Sequence, residues 1–135
     1  MGKYSKIIDG LAGGPKAQGE AYYVAEEALV KADRRAFRPL VRALAQHPDA
    51  VAREVVAEIL GQRGDVTAIP YLLKAVVDPD ECVRMDAIWS IERILHFSPG
   101  GLQHLLDLSY DDPRRSKATI TRFLQLIGPY LVNLE

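Results

Sequence analysis

Sliding the chain along itself by thirty-one residues brings two stretches into register, and that match limits the fold more than any other feature. Arg38-Pro39-Leu40-Val41 falls on Ile69-Pro70-Tyr71-Leu72. Pro48-Asp49 falls on Pro79-Asp80, Arg53 on Arg84, Val56 on Ala87 and Leu60 on Ile91. A fixed period of this length belongs to repeat architectures, where each unit buries its apolar face only against its neighbours.

Within the period, apolar residues recur at helical spacing and turn signals separate them. The first segment, residues 5–11, is flanked by Tyr4 and carries Ile7, Ile8 and Leu11 before Gly13-Gly14-Pro15 breaks it. A second helix is expected over 16–32. Asp33 is placed to cap a third, with Phe37, Leu40, Val41 and Leu44 as its stripe. The fourth follows His47-Pro48 and buries Val51, Val55, Val56, Ile59 and Leu60. Asp65 is placed to cap the fifth, through Ile69, Leu72, Leu73 and Val76. Asp78-Pro79 reads as an N-cap with proline at the first helical position of the sixth, which carries Val83, Ala87, Ile88, Ile91 and Leu95. Ser98-Pro99 and Asp112-Pro113 start the last two. Val and Ile nowhere alternate with polar residues over a strand length, so the expected fold is all-α, eight helices in four antiparallel pairs.

Two copies of the grammar, residues 65–87 and the unit around Pro39 to Gly61, resemble the HEAT-like repeats of the phycobilisome-lyase type. The resemblance implies a right-handed α-solenoid (an α-α superhelix) of about four helix pairs, one domain over 1–135. Its approximate repeats are 4–32, 33–63, 65–96 and 98–128, followed by a short C-terminal tail. It also implies that Arg53 and Arg84, each a turn after Asp49 and Asp80, pair with such aspartates between units as a structural ladder. Second helices then line a concave face. Along that face Tyr23, Glu54, Met85 and Thr121 form one row, and Glu27, Glu58, Trp89 and Gln125 the next, with Asp86, Glu92 and Arg93 beside them.

Chemistry-bearing groups are sparse. The three histidines, His47, His96 and His104, lack the spacing that sets two imidazoles on one helical turn, so no metal site is expected. Cys82 is alone, which excludes an internal disulfide and suits a reducing compartment; beside Asp80 and Glu81 it reads as a buried structural thiol. Gly10 to Gly14 lacks the phosphate-loop pattern. Composition is that of a soluble domain, 48% apolar and 26% charged, and the net charge of -1 argues against nucleic acid. No stretch is long enough to cross a bilayer, and a cytoplasmic protein is the default.

The expected function is therefore a non-enzymatic scaffold or adaptor without cofactor. It would hold a basic protein or segment on Trp89, Met85 and Tyr23, ringed by Glu27, Glu54, Glu58, Asp86 and Glu92 with Arg93 alongside. An immunity-type inhibitor of a basic toxin fits the same surface, and self-association through the solenoid ends is open. The alternative implied by the resemblance is a bilin-handling accessory of the phycobiliprotein lyase kind.

Overall fold

The computed structural model describes residues 2–96 together with Thr121, Gln125 and Gly128, which are helical. The expected pair over 98–128 otherwise lies outside the described residues. Within 2–96 the chain forms α1 (Lys3–Asp9), α2 (Gly14–Gln18), α3 (Glu20–Lys31), α4 (Phe37–Gln46), α5 (Ala50–Arg63), α6 (Ile69–Ala75) and α7 (Glu81–Leu95). Single 3-10 turns, Arg34–Ala36 and Val66–Ala68, lead into α4 and α6. No strand occurs among the described residues. The fold is an all-α solenoid.

The helices stack in two layers. First helices α1, α4 and α6 pack in sequence on one side, second helices α3, α5 and α7 on the other, with each pair packed across the layers. The apolar stripes meet between them: Leu29, Leu40, Ile59, Leu60, Ile69, Leu72, Ile88 and Ile91 are fully buried. Burying one such side chain contributes about 1.5–3 kcal/mol, so this seam is the main source of stability.

Aspartates start the helices. Asp49 accepts from the backbone N–H of Ala52 at 2.8 Å and Asp80 from that of Val83 at 3.1 Å; each such cap contributes about 1 kcal/mol. The cap of α7 is therefore Asp80 and not Asp78, and Pro79 precedes the cap instead of opening the helix. The expected helix over 16–32 is two elements. Gly19 has φ 62° and ψ -139°, a conformation closed to residues with a Cβ, and it separates α2 from α3.

Arginines tie the units together. Arg53 donates to the His47 carbonyl at 2.8 Å, and its equivalent Arg84 donates to the Asp78 carbonyl at 2.8 Å, so both clamp the loop before their own helix. Arg53 also grips the Asp78 carboxylate with two donors at 3.0 and 3.2 Å. The ion pair between these units thus runs to Asp78, a residue outside the expected ladder, while Asp49 and Asp80 are occupied as caps. Asp49 additionally accepts from Gly13 N–H at 2.9 Å, and its carboxyl is held below the usual range chiefly by that bond. Arg63, at the end of α5, reaches back to the carbonyls of Leu29, Ala32 and Asp33 at 2.8, 2.8 and 3.0 Å. It thereby satisfies the open end of α3.

Two of the second helices, α5 and α7, approach closely at Gly61. A Cβ there would lie 2.7 Å from the Cβ and 3.0 Å from the Cα of Ser90. Ser90 fills the gap with a hydroxyl that donates to the Ala57 carbonyl at 2.7 Å, so α5 and α7 pack nearly backbone to backbone.

Candidate functional site

With the core stripes turned inward, the second helices leave their acidic positions on a common surface. Glu54 and Glu58 lie one turn apart on α5, and Asp86 on α7 reaches across to them. Asp86 is held protonated up to about 7, first by burial, then by the charge of Glu54, with which it shares a hydrogen bond, and by Glu58. The Asp86 carboxyl donates and Glu54 accepts, since two carboxylates that close cannot both ionise near neutrality. Glu58 is raised by burial first and then by Glu26, one helix earlier on α3. Tyr22 completes the group: its hydroxyl is driven far above the ordinary phenol range by burial and by a hydrogen bond to Glu26, with Glu58 and Glu54 adding to the effect.

The cluster therefore runs over three successive helices, Tyr22 and Glu26 on α3, Glu54 and Glu58 on α5, and Asp86 on α7. Tyr22 and Glu26 were missed by the repeat count, which points to Tyr23 and Glu27. Those two sit one residue further round α3. Tyr23 is 58% exposed and meets Tyr22 edge to face, while Glu27 pairs with Lys31 at 2.6 Å on an outer surface. The step from the first unit to the second is thirty-two residues, from Asp33 to Asp65, which cap equivalent 3-10 turns, and from the end of α3 at Lys31 to that of α5 at Arg63. Tyr22 and Glu26 therefore match Glu54 and Glu58, and the two capping aspartates were the available signal.

Trp89 is 47% exposed, although Ala87, Ile88 and Ile91 around it are fully buried. Met85 is half-buried against the core, and Arg93 is exposed, with its charge acting on Glu58. Glu92, expected beside these residues on the surface, is instead 3% exposed, and its carboxylate oxygens have no hydrogen-bond partner among the described residues. It follows directly on the buried Ile91 and precedes Ile94 and Leu95, on the interior side of α7. Cys82 differs from expectation in the other direction. It is exposed, and the charges of Glu54, Asp80, Asp86 and Glu81 raise its thiol, so a nucleophilic thiolate is disfavoured there. Thr121 and Gln125 are exposed and helical.

Among the described residues no group of His, Cys, Asp and Glu is placed to hold a metal ion. His47 is engaged with Asp9 at 3.0 Å and His96 ends α7 with φ 59°. No described helix is long and apolar enough to cross a membrane.

The two-layer stack, its period and its loop-clamping arginines define the kind of repeat, and comparison with known families agrees: residues 23–124 match the family model for HEAT repeats. The chain belongs to the HEAT-repeat family. No curated protein and no solved structure matches it. HEAT repeats commonly mediate protein–protein interactions and are generally non-enzymatic, so the fold supports a scaffold. The match is to HEAT repeats at large and does not single out the phycobilisome-lyase subtype.

Proposed function

We propose that the second-helix layer of this HEAT-repeat protein binds a basic segment of another protein, without catalysis. The observation that carries this reading is the crowding of Glu26, Glu54, Glu58 and Asp86 beside the half-exposed Trp89. A protein gains no stability from forcing Asp86 to keep its proton near neutrality. A Lys- or Arg-rich partner removes that cost on binding, because its cations take the place of the shared proton. Trp89, one turn after Met85 on α7, supplies the apolar anchor that acidic groups alone lack. Tyr23 and Arg93 border the surface and help set its selectivity. Adaptors and inhibitors of basic toxins both use this chemistry.

The bilin reading is weaker on physical grounds, because the propionates of a tetrapyrrole would meet the same carboxylates. Calorimetric titration with a Lys/Arg-rich peptide carrying one Leu tests the main reading against a Gln-substituted control. Trp89→Ala is expected to leave the fold intact and to weaken the basic peptide by about 2 kcal/mol. Equal binding of both peptides, or a Trp89→Ala protein that binds like the wild type, would refute it.

A further inference from the structure

The first-helix layer carries a second surface of opposite character. Between α4 and α6 lies a cleft of about 880 Å³. Phe37, Val41 and Tyr71 give it an apolar lining, and the rings of Phe37 and Tyr71 meet edge to face at 5.9 Å. Tyr71 is 39% exposed, so this aromatic pair is not sealed into the core.

The charged groups around the cleft are Arg34, Arg38, Arg42, Lys74 and Asp78. Asp78 is already engaged by Arg53, with both side chains largely buried. Arg34 lies close enough to Asp65 to lower its carboxyl. Arg38, Arg42 and Lys74 make no ion pair among the described residues. Arg38 and Arg42 stand one turn apart on α4, a spacing at which like charges weaken a helix. Among the described residues no ion pair engages these three exposed cations beside an open aromatic pair.

We propose that this cleft binds an acidic peptide segment of a protein partner, with its carboxylates on Arg38, Arg42 and Lys74 and an apolar side chain on Phe37 and Tyr71. Charge complementarity selects the occupant. A nucleic acid is disfavoured: the cations here are few, the chain's net charge is -1, and the other layer is acidic, so a long polyanion is repelled outside the cleft. A short acidic segment needs only these contacts. The apolar lining favours a segment in which Glu or Asp alternates with Leu or Phe. The cleft shares no residue with the acidic face, so its occupancy stands or falls independently of the proposed function.

Fluorescence anisotropy tests this with a labelled peptide of about ten residues alternating Glu with Leu and Phe. The comparators are its Gln-for-Glu counterpart and an oligothymidylate of similar length. The acidic peptide is expected to bind at least about tenfold more tightly than the neutral one, with affinity falling as salt rises. Arg42→Gln combined with Lys74→Gln is expected to weaken it by about tenfold or more while leaving the thermal melt unchanged, and Trp89→Ala is expected to leave it unaltered. Tyr71→Ala supplies a second, uncharged route to the same loss. Equal binding of acidic and neutral peptides, tighter binding of the oligothymidylate, or full affinity in the Arg42/Lys74 variant would each overturn the proposal. So would a wild-type protein that sediments as an oligomer dissociated by the same Gln pair, because a second copy would then be the occupant.

Discussion

Asp86→Asn replaces the carboxyl that shares a hydrogen bond with Glu54 by a neutral amide of the same shape. In the folded protein Asp86 keeps its proton up to about 7, whereas an unfolded aspartate ionises near 4. The native state therefore binds the extra proton. Stability is unaffected below about pH 4, falls as pH rises between about 4 and about 7, and carries the full penalty above that window. A three-unit shift converts nominally to about 4 kcal/mol, but Asp86 is only half-buried and screened by solvent, which reduces the figure to about 1–2 kcal/mol. Urea unfolding followed by circular dichroism at pH 5 and pH 8 measures it. At pH 8 the Asn variant is expected to be more stable than wild type by about 1–2 kcal/mol, shrinking to a few tenths at pH 5. A gap that is the same at both pH values, or an Asn variant that is the weaker at pH 8, would show that Glu54 and Asp86 do not oppose each other. The same proton bears on recognition: a basic peptide on this face should release it, so its affinity should rise from pH 6 to pH 8.

Gly61→Ala should destabilise by about 1–2 kcal/mol in thermal melts, because overpacking against Ser90 outweighs the helix propensity gained; a raised melting temperature would contradict the close approach. In the Gly61→Ala/Ser90→Gly double variant the two costs should be less than additive. Arg53→Ala strands the largely buried Asp78 carboxylate and should cost about 3 kcal/mol in chemical denaturation, more than Asp49→Ala, which loses a cap and the Gly13 hydrogen bond, about 2 kcal/mol together. Cys82 should alkylate with iodoacetamide more slowly than a free thiol at neutral pH, and faster once Glu54→Gln removes the largest charge effect.

The features legible in the sequence were those written in local chemistry. Asp49 and Asp80 sit thirty-one residues apart because each starts an equivalent helix, and the buried stripes of α5 and α7 follow the same count. What escaped was set by rotation and by distance. The step from α3 to α5 is thirty-two residues, Asp33 to Asp65, against the thirty-one from α5 to α7, and that one residue exchanges Tyr23 and Glu27 for Tyr22 and Glu26. The partner of Arg53 is a loop residue twenty-five positions on, and only the stacking of the two pairs brings it near. Glu92 stands where the count puts Gly61, a position of close helix approach, yet a glutamate gives no sequence sign of facing inward.

Arg63 gives the stack a direction. Solenoids come apart by fraying from their ends, because a terminal unit has one neighbour to lose. Here the N-terminal helices cannot peel away without stripping one guanidinium from three carbonyls at the foot of α3. A single side chain thus acts as a latch on that end. Under mechanical load applied at the N-terminus, its rupture would come as one abrupt step, and not as gradual unzipping helix by helix.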